Sequence, residues 1–253
     1  MKAFVKAYWK TLLFFAVVGL IGGWVSGLYT LESYPPEMQQ ELLAQGVTET
    51  TVALSMAIQS AACYGLALGA AGIWLGRKVG LWKDERHITK KPLLAALVIS
   101  LIGGLALIIP DLLFFGKYEP ALLDAYAVKP TIPYLLATVT YGAVIEEVML
   151  RLFMMSLVAL ILHKLFERKR ERVSTGVLAA ANVMSALLFA AGHLPGNDMM
   201  FGLSPMIVFR CMLLNGGFGL AFGWLYRRFG LRYAMIAHGG CHVVSKLIWI
   251  LLI

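Results

Sequence analysis

Seven long apolar segments punctuate this chain, and each could cross a hydrocarbon core of ~30 Å at 1.5 Å per residue. They cover approximately Thr11–Leu31, Thr51–Gly76, Leu93–Gly116, Ile132–Leu165, Thr175–His193, Met206–Tyr226 and Tyr233–Ile253. The residues are 60% hydrophobic and only 14% charged, with a mean hydropathy of +0.77. Soluble domains run roughly 45–50% apolar and about 25% charged. A soluble core cannot hide that much apolar surface, because surface area falls too slowly with mass. A cytosolic enzyme, a disordered chain and a disulfide scaffold are thereby excluded. The expected fold is all-α: one polytopic transmembrane helical bundle over residues 1–253, with about seven spans. An eighth, short amphipathic helix is expected from Pro36, with Gly46 as its stop.

The basic residues test that number of spans. Alternate loops hold Lys2, Lys6 and Lys10; Arg77, Lys78, Lys83, Arg86, Lys90 and Lys91; Lys164, Arg168, Lys169, Arg170 and Arg172; then Arg227, Arg228 and Arg232. The intervening loops hold only Lys117 and Lys129. Cytoplasmic loops retain Lys and Arg, so the N-terminus is expected in the cytoplasm and the C-terminus outside. The net charge of +8 then belongs to loops that face anionic lipid. Nucleic acid is not an expected partner, since no basic run is interleaved with exposed aromatics. Cys63, Cys211 and Cys241 are odd in number, lie in apolar segments and read as small buried hydrophobes. The fourth segment is too long for one crossing, so it either protrudes or hides a short interfacial helix before Gly142.

Ionisable groups within a span are costly and therefore paired or functional. Asp111, Arg210 and Lys246 lie near predicted span ends, where long side chains reach water. The fourth span is different, reading Tyr141-Gly-Ala-Val-Ile-Glu146-Glu147-Val-Met-Leu-Arg151. Glu147 and Arg151 are four apart, acid first, and share a helix face. Glu146 points ~100° away, so one acid can be neutralised while the other stays available as a general base. A Glu–Arg pair that merely fixes packing would explain Glu147 and Arg151 but not the second acid. The fifth span ends Phe189-Ala-Ala-Gly-His193, and Pro195-Gly196 is expected to break the helix there. His193 alone reads as a satisfied histidine at a helix end. The seventh span carries His238-Gly-Gly-Cys-His242, whose imidazoles, four apart, could ligate one metal or hydrogen-bond helices together. Two acids, one arginine and three imidazoles in an apolar interior are the ingredients of water activation for hydrolysis.

These motifs resemble the CAAX-protease and bacteriocin-processing (Abi) family of intramembrane proteases. The family pattern is E-E-x-x-x-R, then F-x-x-x-H, then H-x-x-x-N or D. Here the matching residues are Glu146-Glu147-x-x-x-Arg151, Phe189-x-x-x-His193 and His238-x-x-x-His242. The resemblance implies a catalytic core over about residues 132–253 and a peptide or membrane-protein substrate at the lipid bilayer. It implies Glu146 as the base, Glu147 and Arg151 as groups that shape the site, and His193 and His238 as groups that position water or stabilise an oxyanion. His242 replaces the usual Asn or Asp. Two mechanisms stay open: a glutamate-activated water without metal, or zinc held by His193, His238 and His242. Prenylated substrates, bacteriocin maturation and self-immunity are allowed by the resemblance alike. A partner-binding scaffold without catalysis, or a transporter or proton relay, would use similar intramembrane residues. The transporter lacks the expected inverted repeats.

Overall fold

The computed structural model describes residues 2–84 and 87–253, so Arg86 of the second basic loop lies outside the described residues. Among the described residues the secondary structure is helical, without strands. The chain forms α1 (Lys2–Glu32), α2 (Pro36–Ala44), α3 (Glu49–Val79), α4 (Lys90–Tyr118), α5 (Pro120–Ala127), α6 (132–166), α7 (Thr175–Gly192), α8 (Leu194–Phe201), α9 (Pro205–Phe229) and α10 (Leu231–Leu252). Local chemistry sets several of these starts. Ser174 and Ser204 accept hydrogen bonds from the backbone N–H groups of Val177 and Ile207, capping α7 and α9. The short α2 begins with proline, and Gly46 just beyond it adopts φ 78°.

All seven predicted apolar segments are helical. Six helices are long and apolar enough to cross a membrane: α1, α3, α4, α7 with α8, α9 and α10. The exception is α6, which carries the two glutamates and Arg151. Its position explains how it tolerates them. It packs against α1, α3, α7, α9 and α10, so protein surrounds it where the outer helices meet lipid. Leu20, Leu101, Ile102, Leu213 and Leu247 face outward from those outer helices. No interfacial helix is split from α6 before Gly142; the separate short helix is α5, and α6 runs on unbroken. Its turns over Thr138–Glu146 and Val148–Met155 are wider, π-helical ones.

The fifth helix breaks as expected: α7 ends at Gly192 with His193 as its C-cap, and a new helix starts at Leu194 with Pro195 in its first turn. One further expectation is corrected. Cys63 is exposed on the outer face, while Cys211 and Cys241 are buried. Close packing of small residues is realised between α1 and α3. A Cβ on Gly23 would clash with the Met56 carbonyl oxygen, and one on Gly27 would stand 2.5 Å from the Ala53 Cα.

Candidate active site

The site forms where α6, α7, α9 and α10 meet. Glu147 and Arg151 lie wholly inside the bundle, at 0% and 1% exposure, with Arg151 Nε 3.4 Å from Glu147 Oε2. The guanidinium carbon stands 4.3 Å from the centre of the Phe189 ring and 5.6 Å from that of Phe222. Aromatic faces thus take part of its charge, and neither terminal nitrogen has a hydrogen-bond partner among the described residues. Ser185 Oγ donates to the Leu150 carbonyl at 2.7 Å and ties α7 to α6 beside this pair.

His238 crosses to the acids from α10. Its Nδ1 lies 2.9 Å from Glu147 Oε1, and its Nε2 lies 3.9 Å from Glu146 Oε2. The carboxylate can only accept, so Nδ1 carries the donated proton and Nε2 is turned toward Glu146. The ring is clamped between aromatics. Phe222 stacks on it at 4.7 Å and 19°, and Phe189 meets it edge-on at 5.8 Å and 90°. Glu146 keeps 22% of its side chain accessible. The two neighbouring acids therefore have different surroundings, one sealed and doubly partnered, the other partly open.

His242 follows one turn later, its ring 5.1 Å from that of His238. Its Nδ1 is buried without a partner among the described residues. Its Nε2 faces Gly142 of α6: a Cβ placed there would lie 3.7 Å from His242 Nε2 and 3.9 Å from His238 Nε2. Gly142 thereby keeps open the space before both imidazoles. The sequence motifs did not single out this glycine, nor Phe222.

His193 stands at the edge of this group. Its Nδ1 donates to the Phe189 carbonyl at 2.8 Å, and its ring packs on Phe189 at 4.6 Å. No hydrogen bond joins it to Glu146, Glu147 or His238 among the described residues. The structure thus brings Glu146, Glu147, Arg151, His238 and His242 together and connects His193 to them through the Phe189 ring. The zinc set of His193, His238 and His242 does not fit a metal. No three His, Cys, Asp or Glu side chains among the described residues are arranged to hold one. Nδ1 of His193 is bonded to the Phe189 carbonyl and Nδ1 of His238 to Glu147, which leaves only the Nε2 atoms free, and that of His238 is turned toward Glu146.

Buried charge also collects outside the motifs. Asp111, expected near water, is 1% exposed and accepts both Arg210 Nε and Nη2 as well as the Tyr126 hydroxyl.

This is the site of a multi-pass helical membrane protein that keeps a paired acid, a partly open acid and two imidazoles within its bundle. Residues 128–244 match the family model described as type II CAAX prenyl endopeptidase Rce1-like. That match agrees with the resemblance drawn from the short motifs, and the matched stretch includes every residue of the site. Neither curated proteins nor solved structures give a match.

Proposed function

We propose that this protein is an intramembrane endopeptidase in which Glu146 activates the hydrolytic water. The observation that carries this reading is the unequal setting of two adjacent acids. Glu147 is sealed against Arg151 and His238, while Glu146 remains partly accessible and faces the same imidazole at 3.9 Å. That separation exceeds hydrogen-bonding range, so a water set beside the two atoms, on the accessible side of Glu146, is the species both can polarise. The water oxygen attacks the scissile carbonyl carbon, and Glu146 takes its proton. His238 Nε2, which carries no proton in this tautomer, accepts a hydrogen bond from the water, and the His242 imidazole, whose Nε2 faces the space beside Gly142, is placed to donate to the developing oxyanion. Glu146 then returns the proton to the leaving amine nitrogen, the C–N bond breaks, and a carboxylic acid and an amine result. Glu147 holds the His238 ring in one tautomer, and Arg151 compensates the charge of Glu147.

The substrate in this reading is a peptide or a membrane-associated protein segment, met at or within the bilayer, and the basic loops face the cytoplasm. The test is Glu146→Gln, with an intramembrane reporter peptide as substrate. Cleavage should fall by about 10²–10⁴-fold, the usual range for a lost general base, with expression and melting retained. A variant that cleaves at the parent's rate removes Glu146 as the base. Parent protein that cleaves nothing but binds a partner through this fold, or moves protons, returns the question to a scaffold or a relay.

A further inference from the structure

Two cavities lead away from the site toward the face opposite the basic loops. The inner one, about 190 Å³, begins beside His242 and is lined by Tyr134, Asp111, Arg210, Ser245 and Lys246. The outer one, about 530 Å³, lies among Tyr29, Glu32, Lys129, Thr131 and Met199. Both share the walls made by Ala125, Tyr134, Met200, Phe201 and Trp249. The outer chamber sits at the last turn of α1, the start of α6 and the last turn of α10. Lys2 and Lys6 of α1, Lys164 of α6 and Arg232 of α10 lie at the other ends of the same helices.

Charge is unevenly settled in the inner chamber. Arg210 is neutralised there by Asp111. Lys246 has no acidic partner and no hydrogen bond among the described residues; its ammonium lies 4.7 Å over the Tyr134 ring and 5.6 Å from that of Trp249. A cation kept without an anion inside a membrane bundle is costly and points to function. It stands one helical turn, ~6 Å, beyond His242.

Resting on the proteolytic reading above, we propose that the two chambers form the substrate channel and that Lys246 is its specificity-determining residue. Its ammonium seats a carboxylate of the bound peptide. The three donors of an ammonium suit one carboxylate, and the small inner chamber admits a single short polar group beside the aromatic walls. The carboxylate then falls within a few residues of the scissile bond, at ~3.3 Å per extended residue. It can be a chain end or an acidic side chain, and the test separates these.

Purified Glu146→Gln protein, which should bind without turnover, is titrated with three fluorescent probes. They are dansyl-Leu-Leu-Leu acid, its carboxamide, and dansyl-Leu-Asp-Leu carboxamide. The acid should bind about tenfold more tightly than its amide, the scale of a charge-assisted contact. Adding Lys246→Met should bring that ratio to near one, and Lys246→Arg should recover part of it. Preference for the acid over both amides assigns the chain end; equal binding of the acid and the Asp-containing amide assigns any carboxylate. Equal binding of the acid and its amide by the starting protein overturns the proposal. So does an unchanged ratio in Lys246→Met, or no binding of any probe. Lys246→Met that lowers melting but keeps the ratio shows that Lys246 only braces Tyr134 and Trp249. Because these readouts need no cleavage, an acid preference that survives alongside an inert Glu146 separates the channel from the catalytic reading.

Discussion

Replacing Arg151 with methionine, alone and together with Glu147→Gln, tests whether the sealed pair holds the centre of the bundle. The side chains are 1% and 0% exposed and lie 3.4 Å apart. At an effective dielectric of about 20, that separation corresponds to about 5 kcal/mol of attraction. Breaking a buried pair by removing one partner costs about 3–5 kcal/mol, since the remaining charge is left uncompensated. His238 lowers this for Arg151→Met, because Glu147 keeps its bond to Nδ1 at 2.9 Å. Against that, the Phe189 and Phe222 rings lose a cation worth about 1–2 kcal/mol where water is excluded. We therefore expect Arg151→Met to destabilise by about 3 kcal/mol and the double variant by less than the two single changes added together. The coupling energy should reach about 2 kcal/mol or more. Reversible unfolding in mixed detergent micelles, followed by circular dichroism on all four proteins, measures it. Additive effects, with a coupling under about 0.5 kcal/mol, would refute the claim that these groups compensate one another.

Gly142→Ala places a methyl group at ordinary contact from both imidazoles, 3.7 Å from His242 and 3.9 Å from His238. Melting should stay at or above the parent's, since alanine favours helix over glycine. Cleavage should fall by about tenfold or more as the added methyl obstructs the reacting groups; a fully active variant places the reaction elsewhere. Asp111→Asn removes the charge that neutralises Arg210 and should cost about 3 kcal/mol in the same unfolding assay. A change within about 0.5 kcal/mol would mean that Arg210 finds water.

The spans were legible because each is a long apolar run, and the register of Glu147 with Arg151 followed from helical spacing alone. The meeting of Glu146 with His238 was not. These residues lie on different helices, and only the packing of α10 across α6 brings them together. Asp111 and Arg210 lie 99 positions apart in sequence, so no local window could show that they neutralise each other; each alone resembled a span-end residue. Lys246 looked the same for that reason. Gly142 escaped notice because an open space has no sequence signature. Phe222 escaped because one phenylalanine among 13 in an apolar chain carries no special pattern.

The loosely wound stretch of α6 has a consequence for insertions and deletions. Five-residue backbone bonding over 138–155 holds surplus chain that a deletion could draw tight without shortening the crossing much. A deletion outside that stretch would instead swing everything beyond it by ~100° around the axis. Losing one of residues 148–150 would leave Glu147 and Arg151 three apart, still on one helix face, so the buried pair survives a loss that a uniformly wound helix would pass on to every contact beyond it.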